Sequence, residues 1–297
     1  MSGFWAIDFP PLVAAILASL ACALVGNLLI LTRQAMAADA LSHALVPGIV
    51  IGAMVTGSAA APIMLASGLG AALASTGLTR FLVRVGRVEP GAALGVVFTG
   101  FFAFGILLLE AGGLARTAFD IHHVVTGNLE GLVWIHDARG VPLFDGAALA
   151  LLPPQLAMLA LVLVLVAAIL AGLYKELTLT AFDPVFARAT GLPVGRLDLA
   201  LVVATALACI AAFQSVGVVL AAAMVVCPPA TARLLTERLP IQIALSAIIA
   251  IAVVLVGYGL AVLGPQLFGS AIALSAAGMI GATAGVTLAV TAALKRG

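Results

Sequence analysis

Nine apolar runs, each close to the thickness of a bilayer, leave this chain almost no way to fold in water. A spanning helix needs about 20 apolar residues, because each residue rises about 1.5 Å and the hydrocarbon layer is about 30 Å thick. The runs fall at roughly 11–32, 38–57, 59–80, 90–111, 147–173, 197–212, 216–232, 241–263 and 270–293. Only 8% of the 297 residues are charged, whereas soluble domains carry about a quarter. In lipid, backbone N–H and C=O groups must find partners inside the protein, and long continuous apolar runs do so as helices. The expected fold is therefore all-α, a polytopic transmembrane helical bundle forming one domain over 1–297. The run between Arg196 and Thr236 is interrupted near Phe213-Gln214-Ser215. Two short crossings there give nine spans. One crossing plus a re-entrant segment gives eight.

The basic residues decide between these counts. With the N-terminus outside and nine spans, the inner segments hold Arg33, Arg80, Arg84, Arg87, Lys175, Arg188, Arg196, Arg233, Arg238, Lys295 and Arg296. Only Arg116 and Arg139 fall outside, as the positive-inside rule requires. Eight spans would move one end of the molecule to the wrong side, so nine is the expectation. The near-neutral charge, +1 at pH 7, excludes a nucleic-acid partner, which needs a basic stripe. The N-terminal MSGFWAIDFPP has no basic lead, so no cleaved signal is expected. Cys22, Cys209 and Cys227 lie far apart in apolar stretches and read as small buried hydrophobes.

Within this apolar background, Asp39 and His43 are spaced i, i+4, which puts both on one face of a helix. Ionisable groups in hydrocarbon are costly and mark ion or substrate paths. A carboxylate with an imidazole is a first shell for a divalent transition metal. Read structurally, Asp39 is a helix-start acid near Arg33 and His43 is bonded to a neighbouring helix. Pro47 and Gly48 follow one turn later, so a kink or break is expected there. Broken helices are tolerated at depth where they line a cavity. Two ligands do not close a zinc site, but two copies of the chain would supply four. A transported ion must also leave, so an incomplete shell suits transport.

Two further segments carry polar chemistry. The outer loop, about 112–146, holds Asp120, His122, His123 and His136, a possible external capture site that matches no closed metal motif. The inner loop, about 174–197, contains Phe182-Asp183-Pro184, a helix start with Asp as N-cap and Pro first. That helix is expected to stop near Gly191. Its apolar residues need either a protein groove or the lipid headgroups. Small residues recur at four-residue spacing in Gly48–Gly52 and Gly91–Gly95, as in close helix packing. No GxxxxGK[ST], HExxH or GxSxG motif is present, so the chain has no P-loop of its own and lacks those hydrolase signatures.

Four segments together resemble one family. DALSHALVPGIVIG is similar to the second-helix signature of the ABC-3 permeases, the membrane subunits of bacterial ABC importers for zinc, manganese and iron. TGNLEGL resembles a glycine-centred motif that precedes that family's coupling region, and YKELTLTAFDPVFARATGLPV resembles the coupling segment itself. SVGVVLAAAMVVCPPATARLLTERL resembles its later signature. The matches run in the family's order over about residues 26 to 239.

The resemblance implies an ATP-driven importer permease in a bacterial plasma membrane, carrying a divalent metal, zinc or manganese ahead of iron. It implies Asp39 and His43 as cation ligands. It implies Phe182, Asp183, Pro184, Phe186, Ala187, Arg188 and Gly191 as the helix that docks into a separate ATPase subunit. The implied partners are that ATPase, an extracytoplasmic solute-binding protein, and a second permease copy or paralogue. No permanently bound cofactor is implied, and ATP sits on the partner. The stretch VLGPQLFGSAIALSAAG departs from the family pattern, lacking its Asp-x-Pro-x-Gly turn. A permease for a metal chelate such as a siderophore or corrin is the alternative. A passive channel and an intramembrane metalloenzyme stand further off, the enzyme requiring a third protein ligand.

Overall fold

The computed structural model describes residues 7–32, 34, 40, 41, 43–57, 61–111, 129–132, 153–267 and 274–296. Helices form all the regular structure among them. In chain order these are α1 (Phe9–Leu31), α2 (Val46–Thr56), α3 (Ala61–Arg84), α4 (Pro90–Ala111), a 3-10 turn (Leu129–Gly131), α5 (Pro154–Gly172), α6 (Tyr174–Phe182), α7 (Pro184–Ala189), α8 (Val194–Val216), α9 (Val218–Leu235), α10 (Leu239–Leu267) and α11 (Ala276–Arg296). Eight of them are long and apolar enough to cross a membrane, and α2 is a shorter apolar helix. This is a multi-pass membrane protein.

The segment interrupted at Phe213-Gln214-Ser215 is two full helices, α8 and α9, hinged at Gly217 with φ of 85°. The re-entrant alternative is thereby displaced. The short second run also has a direction. Glycines 48 and 52 of α2 lie against Ser67 of α3, and Gly52 also reaches Ile63, so α2 and α3 are antiparallel. Pro47 lies against Gly105 and His43 against Phe98 and Phe102, so α2 and α4 are parallel. The helical residues 40, 41, 43 and 44 lead into α2.

Helix α1 is the centre of the bundle, packed by α5, α8, α9 and α10. Lipid offers no hydrophobic drive between helices, so close backbone approach and a few hydrogen bonds must hold them. At Gly26 a Cβ would sit 2.0 Å from the Val225 carbonyl oxygen and 2.9 Å from the Pro229 ring. Pro229 has no N–H to give the Val225 carbonyl, four residues back, and Gly26 is what faces that oxygen. One residue on, Asn27 Nδ2 donates to Ser246 Oγ at 2.7 Å and to the Ala23 carbonyl at 2.7 Å. Gln242 Nε2 donates to Asn27 Oδ1 at 3.0 Å. Asn27, Gln242 and Ser246 are fully buried, so this cluster pins α1 to α10 in a site where lost partners are costly. At the other end Tyr258 donates to Asp8 at 3.1 Å. Glycine 257 brings α10 onto Ile280 of α11.

Of the two glycine pairs singled out by spacing, only Gly48–Gly52 is a packing seam. At Gly95 a Cβ would meet nothing within 4 Å, and at Gly91 only the Glu89 carboxylate, so that pair opens outward rather than onto a neighbouring helix. Cys22, Cys209 and Cys227 form no disulfide.

Replacing Gly26 by Val should lower the thermal stability of the detergent-solubilised protein, by roughly 1–3 kcal/mol for overpacking against fixed backbone. Gly95→Ala should leave it unchanged or slightly raised. Equal melting temperatures for Gly26→Val and the parent would refute the close α1–α9 contact.

Candidate metal pathway and cytoplasmic docking helix

Histidine 43 sits on the helical lead into α2, half-buried. The lead stays hydrogen-bonded across its junction: Leu45 N–H donates to the Leu41 carbonyl at 3.1 Å, and Ile49 N–H to Leu45 at 3.0 Å. The interruption falls at Leu45, still in the right-handed helical region (φ −73°, ψ −27°), with Pro47 in the first turn of α2. The expected kink is therefore a one-residue break, and its cause is local. Proline 47 has no N–H for the carbonyl of residue 43, four positions earlier.

The imidazole packs against two rings of α4. Its centroid is 5.4 Å from that of Phe98, tilted by 47°, and 5.1 Å from that of Phe102, edge-on at 81°. Glycine 105, one turn beyond Phe102, lets α4 approach Pro47 closely enough to bring these rings onto His43. Phe98 in turn lines a cavity of about 530 Å³ between α3, α4, α8 and the lead into α2. Ala40, Leu41 and Ala44 form its wall beside His43, and Arg80, Arg84, Glu89 and Asp198 stand at its charged side. That side is where α3 ends and α4 and α8 begin, the face carrying the basic residues. Glu89 caps α4: Ala92 N–H donates to its carboxylate at 2.9 Å. The backbone hydrogen bonds of Gly91 and Ala92 hold that carboxyl below its ordinary range.

Among the described residues no three His, Cys, Asp or Glu side chains come together as a metal site. Asp39, Asp120, His122, His123 and His136 lie outside the described residues.

The inner segment forms the helix read from Phe182-Asp183-Pro184. Asp183 Oδ1 accepts from Val185 N–H at 3.1 Å and Phe186 N–H at 2.9 Å, so the side chain caps α7. The other end is closed by a pair of bonds around Gly191, whose φ is 83°. Gly191 N–H donates to the Arg188 carbonyl and Leu192 N–H to the Ala187 carbonyl, both at 3.0 Å, a Schellman stop. Ala187 is fully buried and anchors the helix. Phe182, Val185 and Phe186 stay 57%, 75% and 54% exposed, an apolar ridge on a face that also carries Arg188.

Several of these features were not anticipated. Phe98 and Phe102, the partners of His43, belong to the run Phe98-Thr-Gly-Phe-Phe-Ala-Phe104, where four of the chain's 13 phenylalanines crowd into seven positions. That crowding was a usable signal. Nothing in the sequence joins Asn27 to Gln242, 215 positions away.

A family model described as the ABC 3 transport family matches residues 7–135 and 142–292. The manganese transport system membrane protein MntD of Bacillus subtilis (strain 168) is 40% identical over 247 residues, covering 82% of this chain and 79% of that protein. The zinc transport system membrane protein TroD of Treponema pallidum (strain Nichols) is 31% identical over 214 residues, 72% of this chain and 56% of that protein. PsaBC from Streptococcus pneumoniae in complex with Fab has the same fold, with a TM-score of 0.77 at 24% identity over 97% of this chain and 92% of that one. Matched over nearly all its length, the chain belongs to the ABC 3 transport family.

Proposed function

We propose that this chain is the membrane permease subunit of an ATP-driven importer of a divalent transition metal in a bacterial plasma membrane, with manganese or zinc as the cargo. The observation that carries the reading is the position of His43. It is a half-buried imidazole separated from an inward-opening cavity by one aromatic ring, Phe98. The relatives named for manganese and zinc transport support the choice of cargo. Imidazole and carboxylate serve both metals, so geometry and availability select between them.

In this reading Asp39 and His43 of two permease copies, identical or related, face each other and supply two oxygens and two nitrogens. A solute-binding protein delivers the ion at the outer face, where Asp120, His122, His123 and His136 are capture candidates. ATP is hydrolysed on a separate cytoplasmic subunit. The ridge of Phe182, Val185 and Phe186 docks there, with Asp183, Pro184 and Gly191 fixing the ends of α7. An apolar ridge held on a doubly capped helix is suited to a partner groove. Transport follows if ATP binding favours one arrangement of the two permeases and the ion prefers the other, since only differential affinity shifts an equilibrium.

Asp39→Ala and His43→Ala should each reduce cellular manganese or zinc accumulation by at least about tenfold, the loss seen even for residues that merely support metal ligands. Membrane levels of the protein should be unchanged. Normal accumulation of both metals in either variant would remove these residues from the pathway. Phe186→Asp should weaken association with the ATPase by about 2 kcal/mol or more, as for a buried aromatic anchor. Co-purification of the ATPase at the parent yield would rule the docking ridge out.

A further inference from the structure

We propose that Asp198 is a positioning residue that couples displacement of α7 to the shape of the cavity, whose wall its side chain shares with Arg80 of α3. The inference rests on the reading of α7 as the ATPase-docking helix.

The connection from α7 to α8 leaves little slack. Only residues 190–193 separate the two helices. Within them Gly191 and Leu192 donate back into α7. Val194 N–H donates to the Leu192 carbonyl at 2.9 Å, and Arg196 and Leu197 N–H donate to the Pro193 carbonyl at 2.8 and 3.2 Å. Pro193 has its φ locked by its ring. The buried Ala187 and Leu197 hold the two ends of this link in the protein. A push on α7 is therefore delivered to the first turn of α8.

Asp198 follows that turn, four residues after Val194, half-buried and on the cavity wall. Arg80, near the end of α3, lines the same cavity. Arg80 is half-buried on α3. Asp198 thus stands on the cavity wall, about one turn into a helix that a link of four residues ties to α7. Moving α8 with α7 changes the Asp198–Arg80 separation, and with it the width and local charge of the inner mouth. Arg84 and Glu89 complete the charged rim. Because Glu89 is engaged in capping α4, Asp198 is the rim carboxylate left to respond.

The test uses the permease reconstituted with its ATPase in proteoliposomes, with Mn²⁺ as the probe and Mn²⁺ delivered per ATP hydrolysed as the readout. Asp198→Asn and Arg80→Gln should each lower that ratio about fivefold, and the double variant should be no worse than either single, as for residues acting in one unit. Asp198→Glu should restore coupling close to the parent. Equilibrium Mn²⁺ binding and the melting temperature should stay put, which a merely structural role would not allow. An unchanged ratio in Asp198→Asn, or additive losses in the double variant, overturns the proposal. Should Asp198→Asn not assemble, Arg80→Gln alone carries the test, and a parent-like ratio there overturns the proposal equally. A parent complex that hydrolyses ATP but moves neither Mn²⁺ nor Zn²⁺ would instead defeat the functional reading on which this rests.

Discussion

Hydrocarbon gives a polypeptide nothing to hydrogen-bond with, and the rest of this structure follows from that. Every crossing must be a helix, and helices that have satisfied their own backbones attract one another only weakly in lipid. What joins them here is a small set of close approaches. Gly26 meets the carbonyl of Val225, Gly48 and Gly52 meet Ser67, and Gly257 meets Ile280. To these is added one buried polar cluster, Asn27 with Ser246 and Gln242, that pins the central helix to α10. The helix α1 is largely enclosed by its neighbours, whereas α2, α3 and α4 carry exposed Ile51, Phe81 and Phe104 on their outer faces.

The interruptions in helical regularity fall at prolines and glycines. Proline 47 breaks the second crossing next to His43, and Gly105 brings the aromatic residues of α4 onto that histidine. Gly217 turns α8 back into α9 with a single residue. The two prolines inside α9 leave carbonyls without their usual donors, and the oxygen of Val225 is the one the central helix approaches. At the inner face the chain leaves the hydrocarbon as two short helices, one of them closed at both ends by its own side chain and backbone. A helix of six residues is too short to persist on propensity alone. Its caps and the buried Ala187 keep it formed while its phenylalanines remain outside.

Much of this was legible along the chain because the signals are local. Run length and apolar composition are set within one segment, and a multi-pass helical bundle follows without any tertiary knowledge. The N-cap Asp183 and the stop at Gly191 act within a few residues of themselves, so α7 could be read in place. The same local reasoning failed where it assumed a partner. Gly91–Gly95 has the spacing of a helix seam, but spacing does not say whether another helix stands opposite. The break near Pro47 was expected, yet its small amplitude depends on the hydrogen bonds that Leu45 and Ile49 keep across it.

By itself, then, the order of residues determined that this protein is a multi-pass helical membrane protein, a consequence of solvation and short-range backbone chemistry, and which segments resemble a metal permease. Tertiary structure alone decided that His43 rests on Phe98 and Phe102, that Phe98 lines a cavity, and that Asp198 and Arg80 share its wall. Those facts join residues from tens to more than a hundred positions apart. Weak interhelical forces leave many arrangements near in energy, and the choice among them is made by the few glycine contacts and buried polar bonds that only the assembled bundle contains.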